Sequence, residues 1–78
     1  MSEQEYKMNV MRIGLKIGYY RRSAGMTQQE LSDASGVSLV YIGQLEAPNT
    51  IYCPSVKVIF KLAEALGIKA SKLLEVDE

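Results

Sequence analysis

The chain has 78 residues, 47% of them hydrophobic, with nine lysines and arginines balancing nine aspartates and glutamates, one cysteine, and no histidine or tryptophan. That length holds one domain with a core contributing only ~3–5 kcal/mol, so association with a second copy is the expected reinforcement. The lack of histidine and the single cysteine, Cys53, exclude an intramolecular disulfide, Cys/His zinc fingers, Cys–His nucleophilic pairs and Ser–His–Asp triads, so no catalytic residue, metal or cofactor is expected. The longest apolar run, Leu39 to Ile42, is far below the ~20 residues that span a bilayer, and the first residues carry no signal-peptide core, so the expectation is a cytoplasmic chain with no membrane partner.

The zero net charge hides a segregation. Glu3, Glu5, Glu75, Asp77 and Glu78 lie at the ends, which leaves residues 6 to 74 with nine basic and four acidic side chains, a balance of +5. The stretch Lys7 to Arg22 holds five basic residues and no acid. Such a body permits a polyanionic partner without requiring one.

In chain order, residues 1–9 read as a flexible tail, and Val10, Ile13, Ile17, Tyr20 and Ala24 then recur at the three- and four-residue intervals of one helical face. A first helix is predicted from Val10 to Ala24. Gly14 and Gly18 inside it each cost about 1 kcal/mol relative to alanine, which calls for close approach of a neighbour. Gly25 ends the helix. Thr27-Gln28-Gln29-Glu30 has the spacing of a capping box, with Met26 and Leu31 at the positions of a hydrophobic staple, which predicts a second helix over Gln28–Ser35 closed by Gly36. Ser38 can cap a third helix reaching Glu46, with Val37 and Ile42 as its staple and Pro48 beyond its end. Residues 47–54 are the one loop.

Ser55 marks a fourth helix in which Lys57, Lys61 and Glu64 form a polar stripe, while Val56, Ile59, Phe60, Leu62, Ala63 and Leu66 cover the rest. It is predicted to be the central, most buried helix. Gly67 closes it, Ile68 can fold back on Leu62 or Ala63, and Lys69 to Glu75 supports a short fifth helix before an acidic tail at 76–78. The domain thus spans residues 10–75, all-α with five helices. Periodicity alone fits a plain five-helix bundle equally well.

Two short capped helices joined by a glycine turn have the spacing of a helix-turn-helix, with Leu31, Ser32, Gly36, Val37, Ile42 and Leu45 where steeply crossing helices need apolar or small residues. Gly25-Met26-Thr27-Gln28-Gln29-Glu30-Leu31, Gly36-Val37-Ser38, Ile42, Leu45-Glu46, Pro54-Ser55 and Ala63-Glu64-Ala65-Leu66-Gly67, in that order, resemble the lambda-repressor-like family of phage repressors, Cro and the xenobiotic response element (XRE) regulators. The resemblance covers residues 10 to 74. It implies the five-helix lambda-repressor-like fold and a sequence-specific regulator of double-stranded DNA. Such a regulator places its third helix, about 38–46, in the major groove, usually as a two-fold homodimer.

A helical wheel turns Tyr41, Ile42, Leu45 and Glu46 inward and Val40, Gly43 and Gln44 outward, with Leu39 at the exposed first turn. The resemblance assigns base contacts to Leu39, Val40, Gly43 and Gln44, with Gln44 suited to adenine and Leu39 and Val40 to thymine methyls. It assigns phosphate contacts to Thr27, Gln28, Tyr41, Asn49 and Thr50, Gln28 standing at a helix N-terminus that attracts anions. Arg21 and Glu46 match the family's structural ion pair. Two features depart from the family. Pro48 replaces an expected glycine in a loop about two residues longer than usual, and Ser23 to Val56 contains no lysine or arginine, only Glu30, Asp33 and Glu46. With −3 on the motif, modest DNA affinity, phosphate contacts from Lys57 and the first helix, or dependence on a dimer is expected.

A protein-interaction module using Leu39, Val40 and Tyr41 is the competing reading, and an antitoxin that binds both DNA and a toxin is a variant of the first. Leu73, Leu74 and Val76, with too few neighbours in one chain, are expected to form the homodimer interface with the end of the fourth helix.

Overall fold

The computed structural model describes residues 1–48 and 52–75. Among them are five helices and no strand: α1 Glu3–Ser23, α2 Gln28–Ser35, α3 Leu39–Glu46, α4 Val56–Leu66 and α5 Ala70–Leu74. The main difference from the sequence reading is at the start. Residues 3–9, expected as part of a flexible tail, form the first turns of α1, because Ser2 and Glu5 make a reciprocal capping box of the kind seen again at Thr27 and Glu30. The Tyr6 phenol of the early helix lies beside the Cys53 thiol in the loop before α4, and the interaction with that thiol holds the phenol above its usual pKa.

Helix ends follow their residues. Gly25, Gly36 and Gly67 take positive φ, closing α1, α2 and α4, and Met26 and Ile68 return backbone N–H bonds to Arg21 and Ala63. Ser38 and Ser55 accept from the N–H groups of Tyr41 and Val58, capping α3 and α4. The α2–α3 turn is fixed by Ser32, whose hydroxyl donates to the Val37 carbonyl at 2.6 Å. A side chain without a hydroxyl there would lose that bond.

The core is one cluster built around Ile17, Leu31, Ile42, Leu62 and Leu73, each fully buried and drawn from a different helix. Two expectations about burial are corrected here. Helix α4 buries Ile59, Leu62, Ala63 and Leu66, but Val56 and Phe60 are 69% and 60% exposed, so its outer side carries an apolar strip beside the charged one. Leu73, assigned to a dimer interface for want of neighbours, is 0% exposed within the single chain, because α5 packs against both α1 and α4. Leu74 is exposed, and Val76 lies outside the described residues.

Candidate nucleic-acid interface

The separation between α1 and α3 is set by glycine. A Cβ added to Gly14 would overlap the Leu45 carbonyl oxygen, and one on Gly18 would come within 3.2 Å of the Glu46 carboxylate. This is the close approach that offsets the cost of two helical glycines. It lets the C-terminal end of α3 lie on α1, with Ile42 and Leu45 turned into the core.

On the opposite side of α3, Val40 is 70% exposed, Leu39 is exposed beside it, and Gly43 and Gln44 are half-buried. The four residues assigned to bases therefore share the outer face and first turn of one short helix. Thr27 and Gln28 stand at the start of α2, and a Cβ on Gly43 would lie 3.8 Å from Gln28 Oε1, so the N-terminus of α2 and the middle of α3 form one continuous surface. Tyr41, half-buried, packs against the core cluster. Asn49 and Thr50 lie outside the described residues.

Beneath this surface Arg21 and Glu46 form a two-pronged ion pair: Arg21 Nε donates to Glu46 Oε2 at 2.8 Å and Nη2 donates to Oε1 at 2.9 Å. The side chains are 12% and 7% exposed. Arg21 Nη1 also donates to the Met26 carbonyl at 2.8 Å, and the hydrogen bond with Glu46 raises the arginine pKa further above its ordinary value. Gln28 Nε2 donates to Glu46 Oε1 at 3.1 Å. That last bond was not foreseen from the sequence, where Gln28 and Glu46 were placed on separate duties; they are 18 residues apart, and only the packing of α2 against α3 brings them together.

The basic residues of α1 stand elsewhere. Arg12 and Lys16 are each two residues from Gly14, which at 100° per residue puts them about 160° around the helix from the side that meets α3. They line a shallow groove with Leu15, Tyr19 and Tyr20, and Arg12 donates to the Asn9 side chain at 3.4 Å. These two residues thus stand on the side of α1 away from its contact with α3. Lys57 lies at the exposed start of α4.

The helix-turn-helix family profile HTH_3 matches residues 17–73. An uncharacterized HTH-type transcriptional regulator of Sinorhizobium fredii is 34% identical over 62 residues, covering 80% of this chain and 78% of that protein. Another from Methanocaldococcus jannaschii is 39% identical over 54 residues, covering 69% and 79%. Among solved structures, the restriction-modification controller protein C.AhdI from Aeromonas hydrophila superposes with a TM-score of 0.77 at 29% identity, over 85% of this chain and 97% of that one. The chain belongs to the helix-turn-helix family, in its XRE-type branch of DNA-binding transcriptional regulators. No helix among the described residues is long and apolar enough to cross a membrane.

Proposed function

We propose that this cytoplasmic regulator lays α3 in the major groove of a double-stranded operator, reading base edges with Leu39, Val40, Gly43 and Gln44 while Thr27, Gln28 and Tyr41 meet the flanking phosphates. The observation that carries this reading is the single surface shared by the exposed face of α3 and the capped N-terminus of α2. In helix-turn-helix complexes the second helix of the motif reads base edges while neighbouring contacts to backbone phosphates fix its register. Gln44 offers an amide for adenine, and Val40 an apolar tip for a thymine methyl. No catalytic role is assigned to the chain.

The reading includes a homodimer, with its interface moved from the one the sequence suggested. Val56, Phe60 and Leu74 flank a cleft also lined by Ile13, Ile59 and Ala70, and their exposed apolar surface is the best place for a second copy. A two-fold contact centred near Phe60 would carry the Lys57 and Glu64 that flank it on the same surface of each copy into the interface. Two α3 helices would then address half-sites ~34–36 Å apart. Selection of bound duplexes from a random pool tests the whole reading: enrichment of a two-fold-symmetric site with half-sites one helical turn apart is the expected result. The exposed Val40 and the cation-free motif favour, as second reading, a protein ligand on α3, and a pool that enriches nothing supports it.

A further inference from the structure

Arg21, Gln28 and Glu46 come from three helices and meet at one carboxylate. Glu46 accepts two bonds from Arg21, at 2.8 and 2.9 Å, and one from Gln28 Nε2 at 3.1 Å. Arg21 is held in turn by the Met26 carbonyl, immediately before the cap of α2. A carboxylate only accepts, so the Gln28 atom that faces it must be the amide nitrogen, and the orientation of the amide is thereby fixed. Its Oε1 then lies against Gly43. The nitrogen has two hydrogens, of which Glu46 takes one.

We propose that Glu46 is a positioning residue for DNA binding: it orders the Gln28 amide before DNA arrives, so that the second N–H is presented to a backbone phosphate. Arg21 has a second part in this beyond the fold, since it offsets the carboxylate charge that would otherwise repel that phosphate. A glutamine side chain is among the costlier ones to immobilise, so ordering it in the free protein strengthens the contact. The inference rests on the reading of Gln28 as a phosphate contact.

The test uses the full chain with Glu46→Ala, Glu46→Gln, Gln28→Ala and the Gln28→Ala/Glu46→Ala double variant, each with a thermal melt, an affinity for the selected duplex and a spectrum of the Gln28 side-chain amide without DNA. Glutamine at 46 keeps an acceptor for Gln28 but loses the full pair with Arg21. Glu46→Ala and Glu46→Gln should therefore both melt early, while only Glu46→Ala loses about tenfold in affinity at a temperature where all are folded. In the Gln28→Ala background, Glu46→Ala should cost no further affinity. Without DNA, the Gln28 amide should be ordered in the parent and in Glu46→Gln and averaged in Glu46→Ala. Should Glu46→Ala not fold, Arg21→Met/Glu46→Leu replaces it, since it strands neither charge. An unchanged amide spectrum in Glu46→Ala, or additive affinity losses, overturns the positioning role. Parent-like affinity in Gln28→Ala, with the Gln28 amide spectrum changed in Glu46→Ala, overturns the phosphate reading instead, and the positioning for DNA falls with it.

Discussion

Gly14 has a backbone carbonyl where its side chain would be. Replacing it with alanine must push α3 away from α1, and overpacking of this kind costs ~1–3 kcal/mol even though alanine is the better helix former. Gly18 differs, because one of its two near neighbours is the long Arg22 side chain, which can swing aside. Gly14→Ala should therefore melt well below the parent while Gly18→Ala stays within a few degrees of it; equal melting of the two would show that the α1–α3 spacing is not set at Gly14. Arg21→Ala and Glu46→Ala each strand a charge that is close to buried, at a cost of ~3 kcal/mol. In a domain this small that lowers Tm by more than about 10 °C. Parent-like melting of both, with DNA binding lost, would make the pair purely functional.

At the level of elements, Val40→Asp on α3 should leave the circular dichroism and Tm close to the parent, because Val40 touches little of the core, while removing duplex binding through desolvated negative charge in the groove. A collapse of the fold would mean that α3 does not present this face. How far the sequence revealed these elements depended on how local the signal was. Thr27 and Glu30 are three residues apart, and Ser38 and Gly36 act on adjacent turns, so α2 and α3 could be bounded without knowing their neighbours. Ser2 and Glu5 have the same spacing, but residues 1–9 were read as a tail without it, since no regular apolar face precedes Val10. Burial was harder. Phe60 and Val56 look like core residues on a helical wheel, but which side of α4 is covered depends on where α1, α2 and α5 lie, and that is not a local property. Leu73 was misassigned for the converse reason. The Gln28 bond to Glu46 joins residues 18 apart, and only the crossing of α2 and α3 brings them together.

For the whole molecule, the proposed homodimer and the DNA use different surfaces, so they can be disturbed separately. Phe60→Asp should turn the dimer into a monomer in analytical ultracentrifugation while leaving the fold intact, whereas Leu73→Ala should unfold the chain at ~2–5 kcal/mol, since it empties a fully buried site. A Phe60→Asp dimer would place the interface elsewhere. The charge map sets the second property of the assembly. The motif from Ser23 to Val56 holds no cation, and Arg12 and Lys16 face away from α3, so few phosphates are neutralised and the slope of log affinity against log salt should correspond to about two or three per monomer.

The central claim, that α3 reads bases while the start of α2 grips the backbone, is tested most directly by titrating the parent, Gln44→Ala and Gln28→Ala with the selected duplex, its single-base variants and random sequence at several salt concentrations. The account predicts that Gln44→Ala loses discrimination at one base pair, worth about 1–3 kcal/mol, and that Gln28→Ala weakens every duplex alike and flattens the salt slope by about one phosphate. Binding of the parent no tighter to the selected duplex than to random sequence, or the same loss pattern in both variants, would contradict it.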